Sequence, residues 1–122
     1  MSTKATRNDG LKQRLSRSRE IKITVTGRKS RRAISLPVWF ALEGDKLYLL
    51  PVSGSDTQWY KNVLKNPSIR IGAGDAKGEF KVVPITNAKQ VSSVVERFRS
   101  KYGEGGIKLY SKLDVAVIAE MR

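Results

Sequence analysis

The feature that most constrains this chain is a two-residue alternation of apolar and polar side chains, repeated in short segments that end in turn residues. In IKITVT, Ile21, Ile23 and Val25 share one face, the pattern of a strand with one side buried. AISLPVWFALE carries it on through Ile34, Leu36, Val38, Phe40 and Leu42. Pro37 lacks the N–H that a ladder needs, so an edge, a bulge or a ligand-facing break is expected there. EGDK offers Gly44 and Asp45 for a hairpin, and KLYLLPVS returns as the next strand. SIRIGA and GEFKVVPI pair around GDAKG, and DVAVIAE ends the series.

Two segments carry a helical period instead. SGSDTQWYKNVLKNP offers Ser55 or Asp56 as a cap, Trp59 and Val63 as apolar positions, and Pro67 as a stop. After Thr86 or Asn87, Val91, Val94, Val95, Phe98 and Tyr102 form one apolar stripe, ended by Gly103, Gly105 and Gly106. The expected order is β-β-β-α-β-β-α-β. Hairpin-linked strands with helices in the gaps point to a mainly β fold with two or three helices, a small antiparallel barrel rather than a parallel sheet. Residues 1–20 read as a basic N-terminal arm or short helix with Leu11 and Leu15 spaced along it, and residues 21–122 as one domain.

With neither cysteine nor histidine in 122 residues, disulfides, thiolate metal sites and catalytic arrangements built on Cys or His are excluded. Asp and Glu are scattered without the spacing of a carboxylate pair or a metal cluster, so no metal is expected and no catalytic side chain is assigned. Any chemistry is expected to come from a bound cofactor or from the substrate. No apolar run nears the roughly 20 residues that span a bilayer. The first 20 residues lack the apolar core of a signal peptide, and a cytoplasmic chain is expected.

Net charge is +13. Residues 1–32 hold 11 Lys/Arg against 2 Asp/Glu, a net of +9, so the excess lies at the N-terminal end and predicts an anionic partner there. The charge peaks in TGRKSRR, where Arg28, Lys29, Arg31 and Arg32 crowd a turn that needs only Gly27. A solvated loop and an anion site are both open readings. Gly27 and Ser30 set backbone and hydroxyl donors among the cations, as phosphate sites do.

PVSGS, between a strand and a helix start, is an ordinary connection or a place where Gly54 admits a flat ligand to the backbone. Among the aromatics, Trp39 points away from the Val38 and Phe40 face, towards a cavity or a subunit interface. Trp59 reads as core. Tyr60 packs or lines a pocket. Tyr102 and Tyr110 flank a glycine-rich loop, where packing is the plainer reading.

Taken in order, ITVTGRKSRRAISLPVWF and GDKLYLLPVSGSDTQWYKNVLKNPSIRI resemble the deazaflavin-dependent nitroreductase family of the flavin-binding split β-barrels. The shared pattern is a Gly-Arg-Lys-Ser turn after a strand, a proline-containing strand, a hairpin, a Ser/Gly loop, and a helix with Trp59, Tyr60, Asn62, Val63, Asn66 and Pro67. It covers about residues 21–85. The resemblance implies a small antiparallel split β-barrel binding coenzyme F-420, a deazaflavin with a phosphate and a polyglutamate tail. By that likeness Arg28, Lys29 and Ser30, with Arg31 and Arg32, hold the anionic end, and Val52, Ser53, Gly54 and Ser55 border the ring. Family members carry a further Arg where this chain has Ile34.

The activity implied is hydride transfer to a small electron-poor substrate such as a quinone, a nitro compound or an enone. Trp39, Tyr60, Tyr102 and Tyr110 are candidate pocket residues, and a homodimer sharing the cleft is expected. Related split barrels bind FMN, so an FMN reductase or flavin carrier is the nearest alternative. A nucleic-acid-binding module using the basic arm is the alternative from another class; against it, no row of exposed aromatics alternates with basic residues along the strands.

Overall fold

The computed structural model describes residue 11, residues 13–74 and residues 76–121. Its strands are β1 (Ile21–Thr26), β2 (Ala33–Val38), β3 (Ala41–Glu43), β4 (Lys46–Leu49), β5 (Ser68–Ala73), β6 (Ala76–Ile85) and β7 (Ala116–Glu120). They form one antiparallel sheet in the order β2-β1-β5-β6-β7-β4-β3. β2 and β3 are its two edges, yet only Trp39 and Phe40 separate them along the chain. Three Cα steps reach at most about 11 Å, so the sheet must curl until its edges meet.

The segment AISLPVWFALE, expected as one strand, is therefore two. Its backbone leaves one edge after Val38 and joins the other at Ala41. Tyr102 pins the crossing, its hydroxyl accepting from Phe40 N (3.1 Å) and lying within hydrogen-bond reach of Phe40 O (3.0 Å) and Arg19 O (2.6 Å). β6 makes the opposite bend. Its residues Ala76 to Lys81 pair with β5, and Val82 to Ile85 pair with β7. The result is a mainly β, curled half-barrel with helices in its gaps, as the alternation predicts.

Helices α1 (Gln58–Lys65) and α2 (Ala88–Ile107) accompany the sheet. Thr57 holds the N-cap position of α1 without a side-chain bond to the helix, and Ser55 and Asp56 lie in the preceding 3-10 turn Gly54–Asp56. Asn87 caps α2, its Oδ1 accepting from Gln90 N at 3.1 Å. Gly103 (φ 83) breaks the helical geometry, but a helical path resumes and runs on to Ile107.

Ile21, Ile23 and Val25 of β1 point into the curl, where they meet Leu47, Leu49, Ile69, Ile71 and the α1 residues Trp59, Tyr60 and Val63. Residues 13–16 are helical, and Leu11 and Leu15 are buried in that same core, each worth about 1.5–3 kcal/mol relative to exposure. The remainder of the basic arm, residues 1–10, lies outside the described residues. A second core forms where Val91, Val94, Val95 and Phe98 of α2 cover Tyr48, Leu50 and Ala116 on the outer face of the sheet. β4 is thus covered on both faces, which is why LYLL reads as an unbroken apolar run.

Candidate functional site

The basic turn is built on backbone bonds from Gly27 N to Arg32 O (2.8 Å) and from Arg31 N to Gly27 O (3.0 Å). The Ser30 hydroxyl accepts from Arg32 N at 3.2 Å. Arg31 sits at φ 62, the left-handed conformation that costs a non-glycine residue roughly 1–2 kcal/mol. The fold keeps an arginine where glycine would be easier.

The four turn cations part company in space. Arg28 lies along α1, donating from Nη1 to Asn62 Oδ1 (2.8 Å) and from Nη2 to Gln58 Oε1 (2.9 Å). Its backbone N–H also donates to Asn62 Oδ1, at 3.1 Å. Asn62 is the buried polar side chain of the core, so Arg28 ties the turn to the helix. Lys29, Arg31 and Arg32 are exposed, and their side chains make no ion pair or hydrogen bond among the described residues. These three are the cations available to an anion.

Beside the turn lies a cleft of about 360 Å³, within the range of small-molecule sites. One wall is Leu36, Pro37 and Val38 of β2 with Trp39. The other is Leu50, Val52, Thr57 and Trp59, and Leu109 and Tyr110 close one side. Pro37 therefore stands on an edge strand and faces the cleft. Glu20 supplies the carboxylate at the rim, and among the described residues no lysine or arginine lines the walls. The cleft suits a flat, largely apolar ring. Thr57 and Trp59 flank Gln58, the residue that Arg28 holds, so turn and cleft adjoin.

Behind Val52, the loop is fastened to the segment after α2. Ser55 donates to Asp114 through its backbone N–H (3.0 Å) and its hydroxyl (2.6 Å). Ser53 N donates to Thr57 Oγ1 at 2.8 Å, and Ser111 N to Val52 O at 2.8 Å. Lys112 pairs with Asp56 at 3.2 Å. The hydrogen bonds from Ser55 hold the Asp114 carboxyl below its usual range. Gly54 (φ 56) is packed against Asp114 and Lys112, so the close approach that its missing side chain allows is used by the chain itself. Ser53, Gly54 and Ser55 support the wall, and Val52 is the member of this group that faces the cleft.

Of the candidate pocket aromatics, Trp39 and Tyr110 line the cleft, with ring centroids 6.3 Å apart. Tyr102 stacks behind Trp39, centroids 4.2 Å apart and planes 6° from parallel. Tyr60 is buried in the main core. Burial pushes the Tyr110 phenol well above its ordinary range, so it stays protonated and can only donate or accept as a neutral group. Trp59, which sequence reasoning gave to the core, is both buried and a cleft wall. Glu20, Leu109, Lys112 and Asp114 carried no local signal, because each acquires its place through a contact distant in sequence.

Residues 12–117 match a bacterial family described as "Uncharacterized protein conserved in bacteria (DUF2255)". The chain belongs to this family. No curated protein matches the chain. Among solved structures, it is similar to an F420-H2 dependent reductase, at 20% identity and TM-score 0.67 over 84% of this chain and 94% of that one. A structure described as a domain-swapped dimer is 18% identical, with TM-score 0.67 over 97% and 98%. HutZ, the haem storage protein of Vibrio cholerae, is 11% identical, with TM-score 0.68 over 92% and 87%. At these identities the likeness shows the fold, a split β-barrel. Among the described residues, no helix is long and apolar enough to cross a membrane.

Proposed function

We propose that this DUF2255 member is a deazaflavin-dependent oxidoreductase that reduces a small electron-poor substrate such as a quinone, a nitro compound or an enone. The observation that carries the reading is an apolar, aromatic-walled cleft linked through Gln58 and Arg28 to a turn that bears three uncommitted cations. When bound, reduced coenzyme F-420 would supply the hydride. Trp39, Trp59 and Tyr110 would hold a flat ring and exclude water, and Lys29, Arg31 and Arg32 would hold the phosphate and the carboxylates of the tail. Arg28 presents that turn rather than binding the anion. The Tyr110 phenol is a neutral donor at the cleft wall, suited to hydrogen bonding a substrate oxygen. The similarity to an F420-H2 dependent reductase supports the reading at the level of fold.

Two copies are inferred to pair over the mouth of the cleft, where Val52 and Leu109 are 50% and 66% exposed. The similarity to a domain-swapped dimer supports this reading, and light scattering on a sizing column tests it.

Titration with coenzyme F-420 and with FMN, followed by fluorescence, tests the cofactor. Micromolar binding of the deazaflavin, weakened about tenfold or more (about 1.4 kcal/mol) by Lys29→Ala/Arg31→Ala/Arg32→Ala, is expected. A preference for FMN would replace the deazaflavin by FMN in the same cleft.

A further inference from the structure

The two halves of the sheet differ in what covers their outer faces. α2 lies over β3, β4 and β7, whereas on β1, β5 and the first part of β6 the outward-pointing Lys22, Arg70, Lys77 and Lys81 are all exposed. The register sets Lys22 opposite Gly72 and Gly72 opposite Lys77. Two cations therefore flank a glycine at twice the strand spacing, about 10 Å. Lys77 and Lys81 stand four residues apart on one strand, about 13 Å. At one end of this half-sheet the β1–β2 turn adds Lys29, Arg31 and Arg32.

Among the described residues, positive charge on this face outnumbers negative. Glu79 is its one carboxylate among the described residues, and it accepts from the Ser68 hydroxyl at 3.2 Å. None of the seven cations makes an ion pair among the described residues. The ion pairs that do form lie elsewhere: Arg97 with Glu43, Arg99 with Glu96 and Glu104, and Lys112 with Asp56 and Asp114. Glu79 stands between Lys77 and Lys81 and opposite Arg70, whereas towards β1 and β2 the surface is low. Gly72 has no side chain, and Thr24 and Ser35 bond one another at 2.8 Å.

We propose that this outer face docks the phosphate backbone of a duplex nucleic acid without reading its sequence. A duplex carries one negative charge per about 1.7 Å of axis, and its major groove is about 12 Å wide. The separation of Lys77 from Lys81 matches that width, so the two can reach phosphates on opposite groove walls. A single strand fits less well, because no aromatic side chain stands out from this face to stack on bases. A bilayer fits less well because, among the described residues, Val83 is the lone exposed large apolar side chain beside these cations, too little to enter the acyl boundary. The strand cations Lys22, Arg70, Lys77 and Lys81 do not line the cleft, so they test this inference apart from the cofactor reading, which shares only Lys29, Arg31 and Arg32.

Fluorescence anisotropy on a labelled duplex DNA of about 20 base pairs tests it, read at salt from about 50 to 200 mM. Four phosphate contacts give a log–log salt slope of about −3.6, a loss of about a hundredfold across that range. The triple variant Lys22→Glu/Arg70→Glu/Lys77→Glu should flatten the slope to about −1 or less and lose binding. Lys46→Glu/Lys89→Glu/Lys108→Glu makes the same change in net charge elsewhere on the surface and should retain most of it. Thermal melts establish that both variants fold. The proposal is overturned if the wild-type protein shows no salt-dependent duplex binding, or if the two triple variants lose affinity equally. Tighter binding to a single strand or to vesicles of anionic lipid than to the duplex would also overturn it.

Discussion

The Arg28 guanidinium bonds Asn62 Oδ1 at 2.8 Å and Gln58 Oε1 at 2.9 Å, joining the most basic turn of the chain to the helix that borders the cleft. The same Asn62 oxygen takes the Arg28 backbone N–H, so one buried amide organises both ends of the contact. Asn62→Ala is expected to cost about 1–3 kcal/mol, because it leaves buried donors without an acceptor. Arg28→Lys should not restore stability to an Arg28→Ala variant, since an ammonium cannot span both acceptors in the geometry of a planar fork. Chemical denaturation of the three variants measures this.

Arg31→Gly separates shape from charge. With φ at 62, glycine fits the turn better, and the variant should be as stable as the wild type or more so, by up to about 1 kcal/mol. It removes one of the three free cations, so its affinity for the F-420 tail should fall by a few-fold even as stability holds or rises. Paired melts and fluorescence titrations read the two effects independently.

Gly54→Ala should be among the more damaging single changes at the site. A methyl group there meets Asp114 and Lys112 while the backbone keeps a φ of 56. A loss of about 2–4 kcal/mol is expected from strain and crowding together. Adding Asp114→Ala should recover the crowding due to that carboxylate, leaving the contact with Lys112 and the conformational cost. A double-mutant cycle by denaturation resolves the two.

Lys101 gives the protein a measurable alkaline response. Its ammonium lies 3.4 Å from the centroid of the Phe40 ring and donates to Phe40 O at 3.1 Å. Burial, and then the nearby Arg19, lower its pKa from 10.5 to about 8. Between about pH 8 and 10.5 the unfolded chain holds a proton that the folded chain has released, so stability from this group rises with pH across that window. Lys101→Met should remove the rise, which urea denaturation at pH 7, 8, 9 and 10 would show as a convergence of the two proteins at high pH.

Tyr102→Phe tests the closure of the barrel. The hydroxyl lies at Phe40 N, Phe40 O and Arg19 O, and losing it should cost about 1–3 kcal/mol. The Trp39 stack can persist on the phenyl ring, so the cleft should keep its affinity for a ring while unfolding at lower denaturant.

By itself the sequence determined the local elements. Period-2 alternation set Ile21, Ile23 and Val25 inward, the i, i+3, i+4 spacing of Val91, Val94, Val95 and Phe98 set one face of α2, and Asn87 marked its start; each of these rests on neighbours within a turn or two. Tertiary structure decided what depends on contacts far apart in sequence. The same local pattern that made AISLPVWFALE look like one strand is compatible with two, and only the meeting of the sheet's edges at Trp39 and Phe40 splits it. Arg28 and Lys29 are adjacent and alike in charge, yet one is spent on Asn62 and the other is free, because only one of them faces α1. Trp59 became a cleft wall, and Glu20, Leu109 and Asp114 gained their places, through packing between segments some 40 to 90 residues apart. Periodicity encodes which side of an element is buried; it does not encode which partner that side will meet.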